Sequence, residues 1–208
     1  MFRILVRLVL GTATIAALAL GVLAPAQAGL PSSTCGPRDL SQAFLPWLDP
    51  AQYFLMAGGD VESSAGWTLA GGARVVRGNE PFYVHKSTDA RSLLVPSGAW
   101  ARTSSTCVDS DEPTLRFFVR NTGSIFSTLV VDVRIRTTVF GVMTETTLPL
   151  GVVPGTTSTW QPALPIVFEL SANQLLGSTS TVDFRFSAVG GGGKWQVDDV
   201  YVDPFKDW

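Results

Sequence analysis

TLVVDVRIRTTV (Thr128–Val139) alternates with a period of two. Leu129, Val131, Val133 and Ile135 fall on one side, and Val130, Asp132, Arg134 and Arg136 on the other. Successive side chains of a strand point to opposite faces, so this run reads as a strand with one dry face and one wet face. Two further stretches repeat the pattern. TLRFFVR (Thr114–Arg120) sets Leu115, Phe117 and Val119 against Arg116, Phe118 and Arg120, and STVDFRFSAV (Ser180–Val189) sets Val182, Phe184 and Phe186 against Asp183 and Arg185. After residue 60 the chain shows no convincing helical period; short apolar runs are separated by Gly, Pro, Ser and Thr clusters. Further strands are expected near Trp67–Ala70, Arg74–Val76, Phe82–His85, Ser92–Val95, Thr144–Leu150, Ile166–Leu170 and Trp195–Val202. About ten strands suffice for two packed antiparallel sheets, so the fold class is an all-β sandwich.

The N-terminal end reads differently. Arg3 and Arg7 precede an apolar stretch, Leu8–Leu23, and Ala26-Gln27-Ala28 supplies a small-x-small cleavage pattern. Residues 1–28 are therefore expected to be a secretory signal peptide. Its apolar stretch is short for a membrane span, and no second segment of spanning length follows. Without Arg3 and Arg7, thirteen basic residues face seventeen acidic ones, a mildly acidic balance that argues against nucleic acid and anionic membranes as partners. Between residues 29 and 57, Pro31, Pro37, Pro46 and Pro50 interrupt any period, which implies an irregular arm with a helical turn around Leu40–Phe44. Cys35 and Cys107 are the only cysteines in a chain expected to meet an oxidising compartment, and a single disulfide follows from that.

Three motifs carry a family resemblance: GGDVESSAGWTLAGGARVV (Gly58–Val76), SLLVPSG (Ser92–Gly98) and WQVDDVYVDP (Trp195–Pro204). In this order they resemble galactose-binding-like jelly-roll domains, a group similar to carbohydrate-binding modules. The resemblance implies a two-sheet jelly roll over residues 58–208, with first and last strands as neighbours. It also implies a structural calcium between them, held by Glu62 and by Asp198 or Asp199. The chemistry is consistent, because a carboxylate inside an apolar strand is costly unless paired or bound to a cation, and calcium takes six to eight oxygens with modest geometric demands. Strand alternation would send Asp198 and Asp199 to opposite faces, so one ligand of the two is expected. Backbone or Arg hydrogen bonding by both aspartates is the alternative.

The wet face gives the second candidate site: Arg116, Arg120, Asp132, Arg134, Arg136, Asp183 and Arg185. Arg offers a planar fork of donors suited to hydroxyls and carboxylates. A ladder of opposite charges across neighbouring strands is the competing explanation. Trp67 and Trp195 lie in the fold motifs and are expected in the core, whereas Trp100 and Trp160 follow turn-like segments and are the candidates for stacking on sugar rings. Trp47 lies in the Pro-rich arm, where stacking on a sugar and plugging one end of the sandwich are equal alternatives. The lone histidine, His85, has no nucleophile elbow to serve and no role is assigned to it. Gly190–Gly193 lacks the helix and Lys-Ser/Thr of a phosphate cradle and reads as a hairpin turn. The combined expectation is a secreted, non-catalytic module that binds a glycan or another cell-envelope polymer. A structural or adhesive envelope protein is the alternative, and a hydrolase the third reading.

Overall fold

The computed structural model describes residues 35–108, 114–139, 141–168 and 180–203. The expected signal peptide lies outside the described residues. Strands β1 (Phe54–Leu55), β2 (Trp67–Ala70), β3 (Arg74–Arg77), β4 (Arg91–Pro96), β5 (Trp100–Thr103) and β6 (Thr106–Val108) occupy the first half. The second half carries β7 (Thr114–Asn121), β8 (Thr128–Val139), β9 (Val142–Pro154), β10 (Gln161–Pro162), β11 (Ile166–Val167), β12 (Ser180–Val189) and β13 (Lys194–Asp203). Sheet one runs β10-β7-β13-β4-β3, with β1 on β13 and β11 on β7. Sheet two runs β2-β5-β12-β8-β9, with β6 on β12. All of these pairings are antiparallel. The architecture is the two-sheet sandwich that the alternating runs imply, in the jelly-roll form that the resemblance implies.

The dry faces meet. Leu129, Val131, Val133, Phe184 and Phe186 from sheet two pack with Leu115, Phe117, Val119, Trp195 and Val197 from sheet one, all fully buried. Phe117 and Phe186 touch edge-to-face with centroids 5.0 Å apart, a favoured geometry for aromatic pairs. Trp195 is core, as expected, and its indole N–H donates to Ser127 Oγ at 2.9 Å. Trp67 packs against the same core half-buried and donates to the Gly58 carbonyl at 2.7 Å.

The arm is more ordered than its prolines imply. Its helical turn is a 3-10 turn at Leu45–Trp47, a few residues beyond the expected place, with Pro46 just inside it. Ser41 bridges Tyr53, and Phe54–Leu55 joins sheet one beside Tyr201–Val202. Phe44, Tyr53, Phe118 and Tyr201 form a second apolar cluster, with Trp47 and Trp160 packed against it. Trp47 thus covers Phe118 on the outer face of sheet one. Cys35 and Cys107 are bonded, so the arm is fastened to β6 of sheet two as the cysteine count implies.

Two expectations about local structure fail. Phe82–His85 is not a strand: the Glu80 carboxylate takes the N–H groups of Phe82 and Val84, which a ladder would need, and Tyr83 adopts a left-handed backbone (φ 51°). Gly190–Gly193 joins β12 of sheet two to β13 of sheet one, so it is a corner between sheets and not a hairpin. The corner needs its glycines. Gly190 has φ 86°, and a Cβ on Gly193 would lie 2.1 Å from Ser127 Oγ.

Candidate functional site

Two places on the sandwich concentrate chemistry, and they lie on different sheets. The first is in β13, where the paired aspartates sit. Asp198 faces Phe118 and Tyr201 faces Arg116, so two residues of β13, Asp199 and Val200, stand against the single Phe117 of β7. This β-bulge puts Asp199 in a left-handed conformation (φ 46°) and breaks strict alternation. The expected separation of the two aspartates onto opposite faces does not occur. Val197, Val200 and Val202 stay in the sandwich core, while Asp198 and Asp199 both join a buried acidic cluster with Glu80 and Asp89.

Backbone amides satisfy much of this cluster. Asp198 accepts the N–H groups of Glu80 and Asp199, each at 3.0 Å. Glu80 accepts Val84 N–H at 2.8 Å, besides that of Phe82. Asp89 Oδ2 lies 2.9 Å from His85 Nδ1. Asp199 is the exception: both its carboxylate oxygens are buried, and among the described residues the backbone N–H of His85 is the one donor directed at them, outside good hydrogen-bond geometry. Burial, reinforced by the neighbouring Asp199 charge, pushes Asp198 up to about 9. Burial and the charges of Glu80 and Asp89 push Asp199 up to about 8. Burial raises Glu80 as well.

A bound cation would invert that balance, because it supplies the charge the cluster lacks. The donors fit one: ligand atoms of His85, Asp89 and Asp199 lie within 4.8 Å of one another. Glu62 is not in this trio; its Oε1 accepts the N–H groups of Ala90 and Arg91 at 2.7 and 2.9 Å, and so holds the chain beside Asp89. Sequence reasoning passed over Glu80, His85 and Asp89. The spacing His85-x-x-x-Asp89 was the available signal, but nothing in the sequence shows that this loop folds back onto β13.

The second place is the outer face of sheet two. The wet-face arginines do not form one surface. Arg116 and Arg120 belong to β7 of sheet one, whereas Asp132, Arg134, Arg136, Asp183 and Arg185 belong to β8 and β12 of sheet two. Arg116 is buried, paired with Asp49, donating to the Ala163 carbonyl at 3.1 Å and lying over the Phe44 ring. Arg120 lies over Trp160 at 4.8 Å and donates to Gln196 Oε1 at 2.7 Å.

On sheet two, Asp183 is a hub. It is 1% exposed and receives Arg102 at 3.1 Å, Arg134 at 2.8 Å and Arg136 at 3.1 Å, with Ser105 at 3.3 Å. Arg136 also reaches Glu145 at 2.8 Å. This portion is the charge ladder that competed with a binding surface in the sequence. Arg185 stands apart. It sits directly opposite Asp132 in register without an ion pair between them, and its guanidinium lies over Trp100 at 4.9 Å. Its Nε–H is buried without a partner, as is the hydroxyl of Ser187, which neighbours Trp100 across β12 and β5.

No family model and no curated protein matches the sequence. Solved structures do match in fold. The xylanase 10B of Clostridium thermocellum, in a piece that carries a family 22 carbohydrate-binding module and a catalytic module with xylohexaose, aligns at a TM-score of 0.50 and 10% identity, over 74% of this chain and 28% of that one. An arabinose-bound α-L-arabinofuranosidase aligns at a TM-score of 0.45 and 18% identity, over 72% of this chain and 26% of that one. A family 11 carbohydrate-binding module from Clostridium thermocellum, in complex with a β-1,3-1,4-mixed-linked tetrasaccharide, aligns at a TM-score of 0.39 and 17% identity, over 75% of this chain and 98% of that one. The chain therefore spans about a quarter of the two enzyme structures. At these identities the likeness is one of fold alone, a two-sheet jelly-roll sandwich.

Proposed function

We propose that the protein is an exported, non-catalytic module that binds a glycan on the outer face of sheet two. The observation that carries this reading is Trp100, half-buried on a sheet face among arginines, beside two buried donors with no partner among the described residues. Aromatic rings supply apolar area to a sugar's C–H face, and unpaired donors gain most from a ligand's oxygens. Export is supported by the signal-peptide pattern and by the Cys35–Cys107 bond, which belongs to oxidising compartments. A glycan array with the secreted protein tests the reading. Defined saccharides should be retained, and Trp100→Ala should cost about tenfold or more in affinity, equal to about 1.4 kcal/mol. Retention of no saccharide, or binding unchanged in Trp100→Ala, would contradict it.

The cation is part of the same proposal. Calcium held by Asp199 and Asp89 would brace the seam where the loop after β3 meets β13. His85 would orient Asp89 through its Nδ1 contact, as outer-shell groups do for ligating carboxylates. Glu62 and Asp198 would then shape the site by fixing backbone beside it. The ion's role is charge compensation in the fold, apart from the glycan surface.

A further inference from the structure

We propose that the ligand of sheet two is an acidic glycan, with a uronate carboxylate bound by Arg185 and Ser187. This rests on the reading of that face as the glycan-binding surface. The charge arrangement separates Arg185 from its neighbours. Arg102, Arg134 and Arg136 converge on Asp183, and Arg136 also holds Glu145. Among the described residues Arg185 makes no ion pair, although Asp132 stands opposite it in register. The other three guanidiniums of this face share the carboxylates of Asp183 and Glu145, whereas that of Arg185 is held by neither. An arginine whose fork is held by no carboxylate can take that of a ligand, which it binds more strongly than neutral hydroxyls.

The hydrogen bonding points the same way. Arg185 Nε–H and Ser187 Oγ are both shielded from solvent without acceptors. Such orphan donors are costly where they stand, and an acceptor that reaches them recovers the cost. The guanidinium now rests on the Trp100 ring. A carboxylate that draws the fork off the ring can take Nε–H and an Nη–H side-on, the bidentate geometry that Arg and carboxylate share. The same movement uncovers Trp100 for the sugar ring that carries the carboxylate. Ser187, across β12 and β5 from Trp100, can then donate to a carboxylate or ring oxygen. One anionic sugar would satisfy the charge, both orphan donors and the ring.

The test uses the secreted protein and immobilised polygalacturonate, alginate and hyaluronan, each beside its carboxyl-reduced neutral counterpart. At least one uronate polymer should bind, with affinity falling about ten- to a hundredfold on carboxyl reduction, the range for losing a charge-assisted hydrogen bond. Arg185→Gln should give the same loss with an unchanged melting temperature, and Ser187→Ala a smaller one. Arg120→Gln, at the other arginine–tryptophan pair, should bind as the wild type does. A neutral polymer held as tightly as its acidic parent would overturn the inference and leave the glycan-binding reading standing. So would binding to a sulfated galactan with none to any uronate. Binding to none of the polymers, acidic or neutral, would overturn the inference, and retention of no saccharide on the glycan array would overturn both.

Discussion

The outer faces of the two sheets start from the same alternating pattern and end in opposite states. On sheet one the arm lies down over the strand arginines. Phe44 is fully buried and stacks on Phe118 with centroids 5.4 Å apart, and it meets Tyr53 and Tyr201 edge-on. Arg116 is consumed in that contact through Asp49, which also accepts the Tyr53 hydroxyl at 2.7 Å. On sheet two nothing described covers the corresponding rows beside Trp100, and Arg185 keeps its charge unpaired. An arginine in a wet strand row therefore has no fixed meaning: the segment that lies across the row decides whether it is structural or available.

Breaking the covered face should cost most. Phe44→Ala removes an aromatic side chain from a packed cluster and should destabilise by about 3–5 kcal/mol, the usual range for a buried Phe. The measurement is a denaturant midpoint with unchanged slope. A cost below about 1 kcal/mol would mean that the arm rests on sheet one without contributing to the fold.

The seam at β13 should rank second. If calcium binds only the folded state, it stabilises by about 2.7 kcal/mol at a hundredfold excess over its dissociation constant. Chelator should then lower the melting temperature. Asp199→Asn should abolish that sensitivity, whereas Glu62→Gln, which retains an acceptor for Ala90 and Arg91, should keep it. A melting curve indifferent to chelator would leave the cluster with shared protons and no ion.

The third rank belongs to the open face. Arg185→Gln should change stability by no more than about 0.5 kcal/mol, because the cation–π contact it loses is offset by removal of a buried donor without a partner.

The sequence showed the strands whose two faces differ. β7, β8 and β12 are long, alternate cleanly and lie where the pattern puts them. β1, β5, β6 and β10 have two to four residues each, too few for a period to register, and they passed unseen. Of the candidate sites, chain distance decided what could be read. The bulge at Asp199 appears only once β13 is paired with β7, and it is what turns two alternating aspartates toward one cluster. His85 and Asp89 lie more than a hundred residues from Asp199, so no local spacing joins them. The partition of the arginines between sheets was equally invisible, since Thr114–Arg120 and Ser180–Val189 have the same pattern and differ only in which neighbours they find. Trp100 and Trp160 show this directly. Both were read as stacking candidates, and each carries an arginine over its ring, but Trp160 packs against the arm cluster while Trp100 lies on the open face.

The most direct test of the open face is a map of backbone amide shifts as the isotopically labelled secreted protein is titrated with an oligosaccharide retained on the array. The account predicts perturbations concentrated in β5, β8 and β12 around Trp100, Asp132, Arg185 and Ser187, with Phe44, Tyr53 and Phe118 undisturbed. Shifts centred on the arm and on β7 around Arg120 and Trp160, with β12 silent, would contradict it.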